Sequence, residues 1–217
     1  MQEQADPDAR LMLRVQQGDR EAFELIVEKY KQPILNLLSR SLNDPNEAED
    51  LAQNVFVQVY KSAQRYRPTA RFSTWIYTIA RNLCLNEIRR RTRHPAESLE
   101  AGNLPSDEGP SRQWPDTRSE SSAAGLLRTE LQEKVAQAIA ELPEKQRLAI
   151  LLCQDEELSY EEISQVLECS VSATKSLIFR AREQLKARLK PYLNSGVWKS
   201  EGSNFAPLPV IKENEAS

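Results

Sequence analysis

Apolar residues recur at steps of three and four along most of this chain, and this spacing is the feature that most constrains its fold. One such stripe consists of Phe23, Ile26, Val27, Tyr30, Ile34, Leu37 and Leu38. A second consists of Ala48, Leu51, Ala52, Val55, Phe56 and Val59. This period is typical of amphipathic helices, and no segment shows the alternating pattern with tight turns that predicts a β-hairpin. The sequence therefore predicts an all-α protein.

Local signals indicate where several helices begin and end. Gly18 and Asp19 would end a first helix over residues 8–17 and cap a second one. Pro33 would kink that second helix, because a proline inside a helix removes a backbone hydrogen bond. Ser73 is positioned to cap a further helix.

Two helix starts have a stronger signature. Asp44 stands three residues before Glu47, and Ser159 stands three residues before Glu162. A short polar residue followed at this distance by a glutamate is typical of a capping box, in which each side chain bonds to the other's backbone.

The segment 94–124 differs in composition from the rest of the chain. Its 31 residues include four prolines, six serines and six acidic residues. Such a segment buries too little apolar surface to offset its ordering entropy, so we expect a flexible acidic linker. It would separate two small helical domains over residues 8–93 and 125–193, and the polar tail 194–217 is expected to be disordered.

Charge is strongly segregated, although the net charge is only −3. The stretch Arg65–Arg93 contains eight arginines and one acid, Glu87, and the stretch Lys175–Lys190 contains six basic residues and one acid, Glu183. Two separated basic blocks predict two separate contacts with anionic partners.

Several function classes are disfavoured by what the sequence contains. Cys84, Cys153 and Cys169 are far apart and His94 is the sole histidine, so neither a disulfide framework nor a zinc site is expected. There is no glycine-rich phosphate loop or nucleophile elbow, so we expect no cofactor and no enzymatic activity. No apolar run approaches the roughly 20 residues that span a bilayer. The polar N-terminus lacks a signal peptide, and a cytoplasmic location without direct membrane insertion is expected.

The stretch 159–190 has the spacing of a helix-turn-helix, with Pro191 expected to end its last helix. On a helical wheel, one side of that helix carries Val171, Thr174, Ile178, Ala181, Leu185 and Leu189. The other side carries Ser172, Ser176, Phe179, Arg180 and Glu183, with Lys175 at its edge. Guanidinium, hydroxyl and apolar groups are what a reader of the major groove needs. The alternative is an ordinary amphipathic helix with a solvated charged face.

The first basic block is interleaved with Tyr66, Phe72, Trp75 and Tyr77. Cations together with aromatic rings suit single-stranded nucleic acid, whose bases can stack on the rings. The alternative is that Trp75 and Tyr77 belong to the core, which we favour for Trp75.

The helix from Asp44 to Tyr60 has an edge of acidic and amide side chains, namely Glu49, Asp50, Gln53 and Asn54. A helix facing DNA would not carry this edge. The pattern alone indicates either a solvated face or a surface that docks on another protein, and it favours the first.

Three runs resemble the extracytoplasmic-function sigma factors of bacterial RNA polymerase. Residues 46–56 (NEAEDLAQNVF) resemble the helix that docks on the polymerase clamp. Residues 72–86 (FSTWIYTIARNLCLN) resemble the segment that opens and reads the −10 element. Residues 141–147 (ELPEKQR) and the helix-turn-helix resemble the domain that reads the −35 element.

This resemblance implies a role for particular residues. The expected contacts with the polymerase clamp are made by Glu49, Asp50 and Gln53. The expected contacts with the −10 strand are made by Tyr66, Arg71, Phe72, Arg81, Asn82 and Arg89. The expected contacts with the −35 duplex are made by Lys175, Ser176, Phe179 and Arg180. The resemblance also implies core RNA polymerase (clamp and flap regions), promoter DNA and an anti-sigma factor as partners.

One departure and two rival hypotheses qualify this interpretation. Leu177 stands where the family commonly has arginine, so one −35 contact is in doubt. An autonomous helix-turn-helix regulator would bind duplex unaided and usually dimerise. A helical protein-interaction module would carry its charge for solubility alone. Capture of core polymerase by the purified chain separates the sigma factor from both.

Overall fold

A computed structural model describes residues 6–93, 123–154 and 158–195, with side chains from 6–93, 129–154 and 158–194. In these ranges the backbone forms eight α-helices, one short 3₁₀ turn and no strand. The helices are α1 (Pro7–Gln16), α2 (Arg20–Leu42), α3 (Pro45–Ser62), α4 (Phe72–Arg93), α5 (Ala123–Ala140), α6 (Glu144–Leu152), α7 (Tyr160–Leu167) and α8 (Val171–Ser195); the 3₁₀ turn is Ala63–Arg65. The all-α prediction is confirmed.

Helices α1 to α4 pack around the stripes that the sequence predicted. Ile26, Ile34, Val55 and Ile76 are fully buried at this centre. Burying such a side chain contributes about 1.5–3 kcal/mol, so these stripes hold the four helices together.

The predicted helix starts at residues 19, 44 and 159 are confirmed. The carboxylate of Asp19 accepts a hydrogen bond from the Ala22 amide at 3.1 Å. Ser159 and Glu162 form a complete capping box, in which the Ser159 amide donates to Glu162 at 2.7 Å and the Glu162 amide donates to the Ser159 hydroxyl at 3.2 Å.

Two predicted helix boundaries are wrong. Ser73 lies inside α4, and its buried hydroxyl has no hydrogen-bond partner among the described residues. The α4 amide at Phe72 is capped instead by Asp6, at 2.6 Å. Helix α8 continues through Pro191 to Ser195. Because Pro191 is the fifth residue from the end of α8, its missing amide costs a single hydrogen bond close to the helix end.

The two halves of the chain pack against each other, α4 on α7 and α2 on α5 and α6. Arg147 of α6 donates from Nη1 to the Ser41 carbonyl of α2 at 2.6 Å. Arg40 donates to the Gln154 side chain at 2.8 Å. The expected linker and tail lie, but for a few residues at their ends, outside the described residues, and the proposed domain boundaries stay predictions.

Candidate polymerase and DNA interfaces

The outer face of α8 carries the side chains that the helical wheel assigned to it. Ser172, Lys175, Ser176, Phe179 and Arg180 line one shallow open depression. The Phe179 ring is 65% exposed, whereas Thr174, Ile178 and Ala181 on the opposite side are at most 2% exposed. An exposed phenyl ring that shares this depression with a guanidinium and an ammonium group gives the face apolar and cationic groups together, which is the chemistry of major-groove recognition.

Helix α7 contributes a residue to this face that the sequence did not indicate. The Lys175 ammonium lies over the Tyr160 ring, 5.7 Å from its centroid. A cation held over a ring loses conformational freedom before it meets a phosphate. The sequence offered little indication of this contact, because Tyr160 and Lys175 lie 15 positions apart on different helices.

Leu177 lies at the edge of the same helix. It is partly buried and packs against the core. Packing at the domain edge, and not exposure toward a nucleic acid, is therefore its observed environment.

Two aromatic residues assigned to the −10 strand are buried. Tyr66 is 3% exposed and Phe72 is fully buried. Their ring centroids lie 6.1 Å apart, and the Trp75 ring packs 4.9 Å from Tyr66 and 5.6 Å from Phe72. In this structure the Tyr66 and Phe72 rings therefore anchor the loop ends and do not face solvent, and their contact with DNA stays a prediction. The core position favoured for Trp75 is confirmed.

Burial also changes the chemistry of the Tyr66 hydroxyl. Burial, together with the charges of Asp6 and Asp8, raises the pKa of Tyr66 to about 12. Its hydroxyl has no hydrogen-bond partner among the described residues. The group therefore stays neutral and acts as part of the packed cluster.

The other residues assigned to the −10 strand are polar and more accessible. Arg71, Asn82 and Arg89 are exposed. The Asn82 amide oxygen accepts a hydrogen bond from Arg81 Nη1 at 3.0 Å. The side chain of Arg81 is 13% exposed, because it lies against Glu168 of the other half at 2.8 Å. An exposed amide braced by an arginine leaves its nitrogen available as a donor to a base edge.

The acidic edge of α3 is exposed, as a docking or solvated face requires. Glu49, Asp50 and Gln53 all face solvent. Further along the same helix, the exposed Val57 and Tyr60 border an apolar depression that is also lined by Phe23, Phe56 and Lys61. The Phe23 and Tyr60 rings meet edge to face, with centroids 5.1 Å apart.

An exposed apolar patch beside a charged edge is typical of a protein-binding surface. Sequence reasoning missed the patch because it placed Phe23 and Phe56 in the buried stripes. The available signal was the spacing of Tyr60, which stands four residues after Phe56 and therefore on the same side of the helix.

No group of three or more histidine, cysteine or acidic side chains in the described ranges could hold a metal ion. Among the described helices none is both long and apolar enough to cross a membrane.

Family models match both halves of the chain. The model described as sigma-70 region 2 matches residues 26–94, and the model described as sigma-70, region 4 matches residues 132–185. The chain is 40% identical over 189 residues to the RNA polymerase sigma-H factor of Pseudomonas aeruginosa, covering 87% of this chain and 96% of that protein. It is 35% identical over 188 residues to the ECF RNA polymerase sigma-E factor of Haemophilus influenzae, covering 86% of this chain and 97% of that protein.

Two solved structures have a similar fold. CnrH in complex with the cytosolic domain of CnrY aligns with a TM-score of 0.62 at 23% identity, over 86% of this chain and 99% of that one. The sigma factor RpoE of Bartonella quintana in complex with the anti-sigma factor NepR aligns with a TM-score of 0.59 at 21% identity, over 77% of this chain and 96% of that one.

Proposed function

This chain belongs to the extracytoplasmic-function group of the sigma-70 family and directs transcription initiation. We propose that three of its helices each make one contact, with polymerase, with the −10 strand or with the −35 duplex. Helix α3 docks on the clamp of core RNA polymerase, α4 with the loop 66–71 captures the melted −10 strand, and α8 reads the −35 duplex. Polymerase performs the chemistry. The exposed face of α8 is the observation that carries this proposal, because its groups suit base recognition and lie on the side of the helix opposite the buried residues.

The proposed clamp contact combines charge with apolar surface. Glu49, Asp50 and Gln53 supply the polar part, and the patch around Tyr60 extends it along the same helix. An apolar centre with a charged rim fits a protein partner. The carboxylates exclude DNA from this helix, because they would lie against phosphates.

The proposed −10 contact uses an amide and cations. Asn82 would bind the edge of a base extruded from the melted duplex, at a cost of a few kcal/mol in lost stacking. Arg71, Arg81 and Arg89 would neutralise the strand's phosphates. The packed rings of Tyr66 and Phe72 would support the two ends of the loop that carries Arg71.

The proposed −35 contact places α8 in the major groove. Arg180 and Lys175 can donate to guanine or phosphate, Ser176 can donate or accept, and Phe179 can meet a thymine methyl group. Tyr160 would hold Lys175 toward the backbone.

The two DNA contacts require the halves of the chain to separate. The positions that name the −10 and −35 elements lie about 25 base pairs apart, or about 85 Å at 3.4 Å per base pair. The structure holds the two halves in contact through α4 and α7. The proposed linker 94–124, between domains 8–93 and 125–193, would span the distance in the holoenzyme.

An anti-sigma factor is a proposed third partner. Of the two solved structures with a similar fold, one contains CnrH in complex with the cytosolic domain of CnrY, and the other contains the sigma factor RpoE in complex with the anti-sigma factor NepR. The proposed site of action is the cytoplasm, where polymerase and chromosome meet.

Transcription with purified components tests the proposal. The full chain is mixed with core polymerase and a library of DNA fragments randomised in both promoter elements. We expect the chain to bind core polymerase and to select fragments that share a −10 and a −35 sequence. Tight specific binding to duplex without core polymerase would favour the autonomous regulator, and no binding to core polymerase would overturn the proposal.

A further inference from the structure

Helix α1 precedes the segment that matches the sigma-70 region 2 model. Its two ends nevertheless lie at the two ends of the loop 66–71, which is assigned to the −10 strand. One side chain at each end of α1 bonds to the backbone that flanks this loop.

At the N-terminal end, the Asp6 carboxylate caps two helices at once. Its Oδ1 accepts the Asp8 amide at 3.0 Å, which caps α1, and its Oδ2 accepts the Phe72 amide at 2.6 Å, which caps α4. The first amides of a helix have no partner within it, and both helix N-termini carry partial positive charge. One carboxylate therefore joins α1 to the end of the loop, across 66 residues of sequence.

At the C-terminal end, Gln16 holds the 3₁₀ turn that leads into the loop. Its amide nitrogen donates to the carbonyls of Ala63 at 3.1 Å and Gln64 at 3.0 Å. The Gln64 side chain returns a bond to the Gln16 carbonyl at 2.9 Å. This reciprocal pair fixes the backbone just before Tyr66.

Helix α1 is itself held in place. Asp8 is buried and accepts hydrogen bonds from Lys29 at 2.7 Å and from the Tyr30 hydroxyl at 2.6 Å, both on α2. Met12 of α1 is fully buried in the core. These contacts hold α1 in place, so the positions of its two ends relative to α2 are fixed.

We propose that Asp6 and Gln16 are positioning residues for promoter opening, which fix both ends of the loop 66–71 so that it presents Arg71 to the −10 strand. This inference rests on the proposed function of the loop. The loop residues 67–71 are exposed, so their arrangement depends on the anchored ends together with the ion pair of Arg71 with Glu162 at 3.3 Å. A loop held in its bound conformation loses less entropy when DNA binds.

The test compares Asp6→Ala with Asp19→Ala in holoenzyme made with the full chain. Asp19 is the matched control because it also caps a helix, α2, and its carboxylate bonds to the Ala22 amide and to Arg14, neither of which flanks the loop. The probe is a pool of promoter fragments selected by the wild-type holoenzyme. Permanganate reactivity of unpaired thymines reports opening, and resequencing after selection reports base preference at each position.

We expect Asp6→Ala to slow opening about fivefold, the factor that corresponds to the lost cap on α4, which is the cap at the end of the loop. Base preference should relax in the −10 element and stay unchanged in the −35 element. A general loss of stability would not distinguish the two elements. Affinity for core polymerase should equal that of Asp19→Ala.

Gln16→Ala provides a second, independent variant at the other end of α1. Its bonds are largely solvent-exposed, so folding should survive, and Gln32→Ala is its control because Gln32 bonds to the nearby Asn36 side chain. We expect the same relaxation at −10. Opening and −10 preference equal to the controls in both variants would overturn the inference while the proposed function stands. Failure of the wild-type chain to open any fragment would overturn the proposed function and this inference together.

Discussion

Arg81 and Glu168 belong to opposite halves of the molecule and form an ion pair of 2.8 Å. Arg81 is one of the residues proposed to meet the −10 strand, and Glu168 lies in the turn between α7 and α8. A second pair, Arg71 with Glu162 at 3.3 Å, repeats the arrangement. Carboxylates of the −35 half thus lie where phosphates of the −10 strand are proposed to bind.

We expect the free chain to bind promoter DNA poorly, and Glu168→Gln to improve its binding of a single-stranded −10 oligonucleotide roughly twofold. The gain is modest because Glu168 is 63% exposed, and exposed ion pairs contribute about 1 kcal/mol or less. Fluorescence anisotropy at low salt measures the affinity. Glu183→Gln, which removes the same charge from a pair on α8 with Lys186, is the control. Equal affinities for the two variants would leave the acidic linker 94–124 as the competitor.

Asn82→Ala should leave polymerase binding intact and slow promoter opening about tenfold. The amide is exposed and braced by Arg81, and one lost hydrogen bond to an extruded base corresponds to about 1 kcal/mol or more. Permanganate footprinting of the −10 region measures opening. Melting at the wild-type rate would remove Asn82 from the mechanism.

Arg180→Ala should cost roughly 1–3 kcal/mol at one −35 base pair if the guanidinium meets a guanine edge. If it meets only phosphate, binding should weaken equally across sequences and the salt slope should fall by about one unit. Selection from a −35 library at two salt concentrations separates these outcomes. Unchanged affinity and preference would show that this face of α8 is not the reader.

Leu177→Arg should strengthen DNA binding and steepen its salt dependence, with little change in base preference. Leu177 packs against the core at the domain edge, so an arginine there would reach outward to a phosphate. The same library measures both properties. A changed −35 preference would instead place position 177 at the base edges.

Tyr60→Ala should weaken affinity for core polymerase by about tenfold, since exposed aromatic residues at the centre of an interface contribute most to binding. Biolayer interferometry with immobilised chain measures this. Leu25→Ala, which also removes an exposed apolar side chain, is the control because Leu25 does not line the patch around Tyr60. Equal losses in both variants would assign no special role to that patch.

Glu87 should make stability depend on pH. Burial raises the pKa of Glu87, but hydrogen bonds and charge from Arg90 and Arg91 outweigh it and leave the pKa below its ordinary value. The stabilisation by Glu87 is therefore present above its pKa in the unfolded chain, about 4.3. It is lost as the pH falls through the lower pKa of Glu87 in the folded chain. Chemical unfolding at a series of pH values from 7 downward should show that the excess of wild type over Glu87→Gln in the free energy of unfolding shrinks as the pH falls. A constant difference would contradict this.

The sequence by itself determined the helices, the caps at residues 19, 44 and 159, and the outward face of α8. Each of these depends on residues three or four apart, whose relative positions a helix fixes without reference to anything else. The family motifs added the assignment of tasks to helices.

Tertiary structure alone decided which rings are core and which surfaces remain open. The sequence pattern suited Tyr66 and Phe72 to stacking on nucleic-acid bases. In the fold these two rings are buried by contacts with each other and with Trp75. The cap on α4 comes from Asp6, far away in the sequence, and Glu168 reaches Arg81 across the two halves. The partner of a ring, an orphan amide or a charge depends on how helices pack in space. Spacing within one helix contains no information about that packing.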